Sequence, residues 1–141
     1  MPEYPDLTVY LECLKPRVLD RVLKKVRLGS PFVLRSVEPP LAACENRRVQ
    51  ELRRIGKRLV FGLEGGVFMV IHLMIAGRLQ WKKEAGAKLP GRAGLVGFDF
   101  ETGTLILTEV STKKRASLTL VQGEAALHAV DRGGVEPLAA P

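Results

Sequence analysis

The sequence is short of cysteine, aromatic residues and negative charge, and each shortage narrows what the chain can be. Among 141 residues there are two cysteines, Cys13 and Cys44. They form neither a metal-ligand spacing nor a disulfide framework, a usage that suits a reducing cytoplasm. Cys13 falls among the apolar positions of an expected helix and should be buried, whereas Cys44 falls in an expected loop. No apolar run approaches the roughly 20 residues that a membrane span needs. Glu3 and Asp6 stand where a secretory signal would carry basic residues, and no internal repeat is visible. What remains is 46% hydrophobic, enough for one domain with a real core and too much for disorder over most of the chain. Lys and Arg outnumber Asp and Glu 22 to 15, for a net charge of +7 and a pI near 9.8. That balance favours a polyanionic partner, usually nucleic acid, or an anionic surface.

The first six residues, Met1-Pro2-Glu3-Tyr4-Pro5-Asp6, allow an unusual chemistry. Methionine is commonly trimmed before a small second residue, which would leave Pro2 as the N-terminus with a free secondary amine. An α-amino group titrates at about 7.7–8.0, so a useful fraction is unprotonated near neutrality. A lysine would need burial or a cationic neighbour to do the same. Such an amine can attack a carbonyl carbon and form a Schiff base, and the adjacent Glu3 could move protons. The same six residues also suit an unstructured start.

The rest of the chain reads as mainly β. Pro5 and Asp6 suit a helix start, and Leu7, Tyr10, Leu11 and Leu14 recur at helical spacing until Pro16, which should end or kink the helix. Residues 17–28 fit helix or alternating strand equally. Residues 31–46 hold three prolines and no period, and read as loop or short turns with Phe32, Val33 and Leu34 tucked inward. Strands are then expected near 49–53, 57–63, 67–75, 78–82, 95–100, 104–108 and 118–121. Gly65-Gly66 and Thr102-Gly103 mark hairpin turns. Residues 83–93 should be a mobile basic loop, and residues 123–130 a short helix. The expected fold is a two-layer antiparallel β-sandwich with an N-terminal helix and a short C-terminal helix.

Three cationic stretches stand at strand ends or in loops: Arg53-Arg54-Ile55-Gly56-Lys57-Arg58, then Lys82-Lys83 with Lys88 and Arg92, then Lys113-Lys114-Arg115. Each alone fits a solvated face; together they suggest a surface that contacts phosphates. His72 lies in the apolar run 67–75. It fits a hydrogen-bonded core histidine, or a residue emerging at the strand end beside Met74-Ile75-Ala76-Gly77, whose apolar tip could wedge between stacked bases.

Taken in order, these residues resemble the N-terminal domain of the formamidopyrimidine-DNA glycosylase and endonuclease VIII family of base-excision repair enzymes. The opening Met-Pro-Glu-x-Pro-Asp is similar to the family's Met-Pro-Glu-x-Pro-Glu. Arg54-Ile55-Gly56-Lys57-Arg58 resembles its Arg-x-Gly-Lys strand, and His72-Leu73-Met74-Ile75-Ala76-Gly77-Arg78-Leu79 its His-Leu-Gly-Met-Ser-Gly-Arg-Leu segment. Gly123-Glu124-Ala125-Ala126-Leu127 and Glu136-Pro137-Leu138 resemble the end of the domain and the linker beyond it. The resemblance implies a DNA glycosylase with AP lyase activity, acting on duplex DNA with damaged bases or abasic sites. Pro2 would attack C1′ of the damaged nucleotide, Glu3 would handle protons, and Lys57 would contact the backbone and aid ring opening. His72 would bind a phosphate, and Met74 and Ile75 would fill the gap left by the flipped base. Arg54, Arg58, Lys113, Lys114 and Arg115 would add DNA contacts.

The chain also departs from that pattern. Ile75 stands where the family carries Met. Ser111-Thr112-Lys113-Lys114-Arg115-Ala116 replaces an Asp-Pro-Arg-Arg-Phe-Gly loop, which puts Arg115 in the place of the aromatic that props apart the partner strand. Lysines at 113 and 114 lack the bidentate geometry of arginine. The resemblance implies a glycosylase domain over residues 1–130 and, over 131–141, a linker toward a helix–two-turns–helix domain that this chain lacks. A zinc finger would lie beyond that, so no cofactor is expected here. A monomer in the bacterial cytoplasm, with no membrane partner, is the corresponding expectation, and weak DNA binding by the chain alone. The alternatives are a non-catalytic DNA-binding module of the same fold and an unrelated basic β domain that binds RNA.

Overall fold

The structure, a computed structural model, describes residues 7–36, 39–74, 76–110 and 115–131. Helix α1 (Leu7–Val18) leads into two short strands, β1 (Val22–Leu23) and β2 (Lys25–Leu28). Then follow β3 (Arg47–Ile55), β4 (Arg58–Leu63), β5 (Val67–His72), β6 (Gly77–Lys82), β7 (Gly94–Phe100), β8 (Gly103–Glu109), β9 (Ser117–Gln122) and helix α2 (Glu124–Asp131). The strands form two antiparallel sheets, ordered β1-β3-β4-β5-β9 and β2-β7-β8-β6, so the expected sandwich with a helix at each end is what forms.

Strand periodicity sets the faces. Leu59, Phe61 and Leu63 of β4, Val67, Met69 and Ile71 of β5, and Leu118 and Leu120 of β9 point inward. They meet Leu79, Phe98, Phe100, Leu105 and Leu107 of the other sheet in one core. The Phe61 and Phe98 rings stack across it with centroids 6.4 Å apart. A second, smaller cluster forms on the outer face of the five-stranded sheet, where Leu127 and Val130 of α2 cover Val60, Phe68 and Val70. Helix α1 ties the two sheets together. It packs on β3 and β4, and its Tyr10 hydroxyl accepts the amide N–H of Leu79 on β6, 3.1 Å away.

Four local expectations change. Pro16 does not end α1, which runs to Val18; a proline in the last turn forfeits a single ladder bond, and Leu19 N–H still reaches the Lys15 carbonyl at 3.0 Å. Cys13 is exposed and Cys44 is buried, because α1 turns Leu14 and Val18 inward and leaves position 13 on the far side. Phe32 is 80% exposed, whereas Val33 beside it is buried. The basic loop 83–93 is fastened at its centre. Ala87 N–H donates to Thr104 Oγ1 (3.1 Å), Arg27 Nη2 donates to the Ala87 carbonyl (2.6 Å), and Arg27 pairs with both oxygens of Asp99 at 2.8 Å. Leu89 of this loop fills the space over Gly94 and Gly97, so the loop roofs the outer face of the four-stranded sheet.

Phe61→Ala should cost about 3–5 kcal/mol in denaturant unfolding, the usual range for a buried aromatic. Phe32→Ala should stay within about 0.5 kcal/mol, as surface changes do. The cysteines should separate as sharply. Burial, opposed by Arg47 and aided by Glu45, pushes the Cys44 thiol up to about 12 from 9.0. A disulfide reagent at mild alkaline pH should therefore label Cys13 alone until the chain unfolds. The folded chain holds the Cys44 proton where the unfolded chain has lost it, so this residue's contribution to stability declines as pH rises from about 9 towards 12.

Candidate nucleic-acid interface

The chain changes sheets twice at one end of the sandwich. Strand β5 stops at His72 and β6 starts at Gly77; β8 stops at Glu109 and β9 starts at Ser117. The registers bring these ends together, because His72 pairs with Ser117 and Gly77 pairs with Glu109. His72 also pairs with Arg58 on its other side. Arg58, His72 and Ser117 thus form a row across three strands, with neighbouring Cα atoms about 5 Å apart. Their parity is that of Val60, Val70 and Thr119, so the row continues the outer face.

Lys57 is exposed beside this row, in the two-residue turn between Ile55 and Arg58. Gly56 takes φ +61° there, at the first central position where a type II′ hairpin turn calls for glycine. Arg54 is exposed at the end of β3, and Arg115 is exposed just before β9. Arg53 belongs elsewhere. It pairs with Glu124 of α2 at 3.2 Å and lies 5.9 Å above the Phe68 ring on the outer face. Lys82 is also separate, because it pairs with Thr104 at the opposite end of β6, whereas Arg92 of the same stretch comes just before Gly94, which pairs with Thr108 next to Glu109. Among the described residues, the first stretch and Arg115 of the third converge, and Lys82 lies apart from them.

The turn after His72 is tightly built. Leu73 is 3% exposed, and its carbonyl accepts the Gly77 N–H at 2.9 Å. A Cβ on Gly77 would stand 2.3 Å from that oxygen and 3.0 Å from the Ala116 methyl, so only glycine fits. Met74 adopts φ +58°, a left-handed conformation that costs a non-glycine residue about 1–2 kcal/mol. Its amide N–H donates to His72 Nδ1 at 3.2 Å. Met74 is 38% exposed, and Leu28, Phe32 and Val110 are also exposed. All four belong to segments that leave a sheet at this end; the fifth exposed large apolar residue among those described, Val9, is on α1.

Glu109 was not among the residues that the sequence singled out, yet it holds this end together. Its carboxylate is 2% exposed and accepts the Arg115 N–H at 2.7 Å and the Ala116 N–H at 3.0 Å, fixing where the basic segment re-enters β9. No sequence pattern announces it, since an acidic residue at a strand end ordinarily faces water. Pro2, Glu3, Ile75, Lys113 and Lys114 lie outside the described residues. Among those described, no group of three or more His, Cys, Asp or Glu side chains could hold a metal ion, and no helix is long and apolar enough to cross a membrane.

Comparison with known proteins gives a consistent pattern. A family model described as the formamidopyrimidine-DNA glycosylase N-terminal domain matches residues 1–124. Formamidopyrimidine-DNA glycosylase of Heliobacterium modesticaldum is 32% identical over 98% of this chain and 51% of its own length. That of Mycoplasma genitalium is 32% identical over 74% of this chain and 37% of its own length. The chain therefore spans about half or less of these curated relatives. Among solved structures, MutM in complex with DNA containing carbocyclic 8-oxo-G superposes with a TM-score of 0.77, covering 89% of this chain and 47% of that one at 17% identity. Lactococcus lactis Fpg in complex with abasic-site DNA gives 0.76 at 18% identity, over 92% of this chain and 46% of that one. At such identities the structural likeness establishes the fold.

Glu109→Ala should destabilise the chain by about 2–6 kcal/mol, because two backbone N–H groups, one buried and one part-buried, lose their acceptor at about 1–3 kcal/mol each. Lys57→Ala should change stability by no more than about 0.5 kcal/mol. Urea unfolding of the two variants measures the contrast.

Proposed function

Because the chain belongs to the formamidopyrimidine-DNA glycosylase family, we propose that it is the catalytic half of a base-excision repair glycosylase with AP lyase activity. Its end where the strands change sheets would be the face that meets DNA. The observation that carries this reading is the convergence of Lys57, Arg58, His72, Met74 and Arg115 at that end. The nucleophile would be the amine of Pro2. Helix α1 starts at Leu7, and five residues of extended chain reach at most about 18 Å. Tyr10, one turn into the helix, is fastened to Leu79, two residues from Gly77. The tether of α1 to β6 supports an amine that would reach the row.

The chemistry would run as follows. The unprotonated amine attacks C1′; the new N–C1′ bond forms as the glycosidic bond breaks, and the base departs with a proton. Glu3 protonates the ring oxygen, the sugar opens, and a cationic Schiff base remains. That cation acidifies the 2′ proton. Its loss expels the 3′ phosphate by β-elimination, and a second elimination can release the 5′ phosphate. Water then hydrolyses the Schiff base and restores the amine. No step calls on a metal. Lys57, Arg58 and Arg115 would neutralise the flanking phosphates, and His72 would donate a hydrogen bond to one. Met74 and Ile75 would occupy the space of the extruded nucleotide, the usual task of an apolar wedge. Arg115, in place of an aromatic, would meet the opposite strand through charge rather than stacking.

Borohydride reduction on a duplex with one abasic site tests this directly. A chain whose N-terminus is verified by mass spectrometry as proline should form a covalent adduct, and one that retains Met1 should not. Absence of an adduct at protein concentrations that saturate the duplex would overturn the reading. Removing the charges of Lys57, Arg58 and Arg115 together should lower the slope of log affinity against log salt by about three, at about 0.9 per phosphate contact.

A further inference from the structure

We propose that His72 is a positioning residue that couples the phosphate contact to the conformation of Met74, and that it does so as a neutral imidazole protonated on Nε2. The phosphate half of this proposal rests on the DNA-binding reading above; the link to Met74 stands on the chain alone.

An imidazole nitrogen either donates or accepts, never both. Nδ1 of His72 accepts the Met74 N–H, so it carries no proton, and the proton of the neutral ring sits on Nε2. A ring protonated at both nitrogens would face the Met74 N–H with a second N–H and lose the bond. Arg58 already stands in the same row, so a neutral donor at position 72 adds a phosphate hydrogen bond without adding a like charge.

The bond matters because of what it holds. On one side of Met74, Leu73 is buried; on the other, Gly77 is locked against the Leu73 carbonyl and Ala116. Met74 itself sits in the left-handed region, which its Cβ resists. Its amide is the pivot between the buried leucine and the exposed methionine, and the His72 ring restrains that pivot. One ring thus serves two purposes: Nδ1 keeps the wedge in place, and Nε2 presents the proton to a phosphate. The fixing of one imidazole nitrogen by the partner of the other is a familiar way of setting a ring's tautomer and orientation.

Two substitutions separate the purposes. Asparagine puts its side-chain oxygen near the place of Nδ1 but cannot reach as far as Nε2. Glutamine can put its amide N–H₂ near Nε2 but leaves no acceptor beside Met74. In His72→Asn the Met74 amide should keep its hydrogen-exchange protection, while affinity for an abasic-site duplex at fixed salt falls about tenfold with its salt slope unchanged, because no charge is removed. In His72→Gln the affinity should hold, and the Met74 amide should exchange about tenfold faster or more. Nitrogen-15 NMR of the unsubstituted chain near neutral pH should show His72 as the Nε2–H tautomer. The Nδ1–H tautomer, an imidazolium, or equal exchange in the two variants would overturn the proposal. So would an affinity for the duplex that falls equally in both. If the unsubstituted chain does not bind the duplex, the DNA reading fails, and tautomer and exchange still decide the His72–Met74 link.

Discussion

The structure turns on the close approach of two chain crossings at one end of the sandwich. The β5–β6 crossing is closed by the Leu73 carbonyl on the Gly77 N–H. The β8–β9 crossing is closed by the buried Glu109 carboxylate on the Arg115 and Ala116 N–H groups. The two meet where Gly77 lies against Ala116, with no room for a side chain between them. Everything of functional interest hangs on that contact. It aligns His72 with Arg58 and Ser117, presents Met74 at the surface, and sets where the third basic stretch rejoins the sheet. A buried carboxylate that accepts two backbone N–H groups is costly to replace, because both donors are left without a partner.

Much of this was legible in the residues. The alternation along β4 and β5 and the glycine turns located the strands, and Arg-Ile-Gly-Lys and the His72–Gly77 turn fall together at the end where the strands change sheets. What was hidden depends on contacts distant in sequence. Cys13 faces water because the phase of α1 is set by what Leu14 and Val18 meet in the core, not by the local count of apolar residues. The loop 83–93 reads as mobile from its glycines and lysines, yet Thr104 and Arg27, which fasten it, come from strands elsewhere in the chain. Phe32 reads as core from its type; the short 3₁₀ turn at Pro31–Val33 sends Val33 inward in its stead. Glu109 carries no local signature at all, and Arg53 looks like part of the phosphate surface until α2 supplies Glu124.

The fold separates duties in a way that suits the proposed chemistry. The sandwich core and α2 involve none of the residues assigned to DNA, and Lys57 and Arg115 of the working end are exposed. The chain spans about half or less of its curated relatives, and on the proposed reading the reacting groups and the first phosphate contacts would lie here. Arg115, where the family pattern carries an aromatic, would alter the side facing the partner strand and leave the proposed nucleophile untouched. Lesion recognition and strand cleavage would thus vary independently on one scaffold.

The central claim is that DNA meets this one end of the sandwich. Titrating a nitrogen-15-labelled chain with an abasic-site duplex and following its amide resonances tests that most directly. The account predicts shifts concentrated at Gly56–Arg58, His72–Gly77 and Arg115–Ser117, with Lys82, Lys83 and Thr104 at the opposite end unchanged. Shifts centred on the Lys82 end, with the His72–Gly77 turn unmoved, would contradict it.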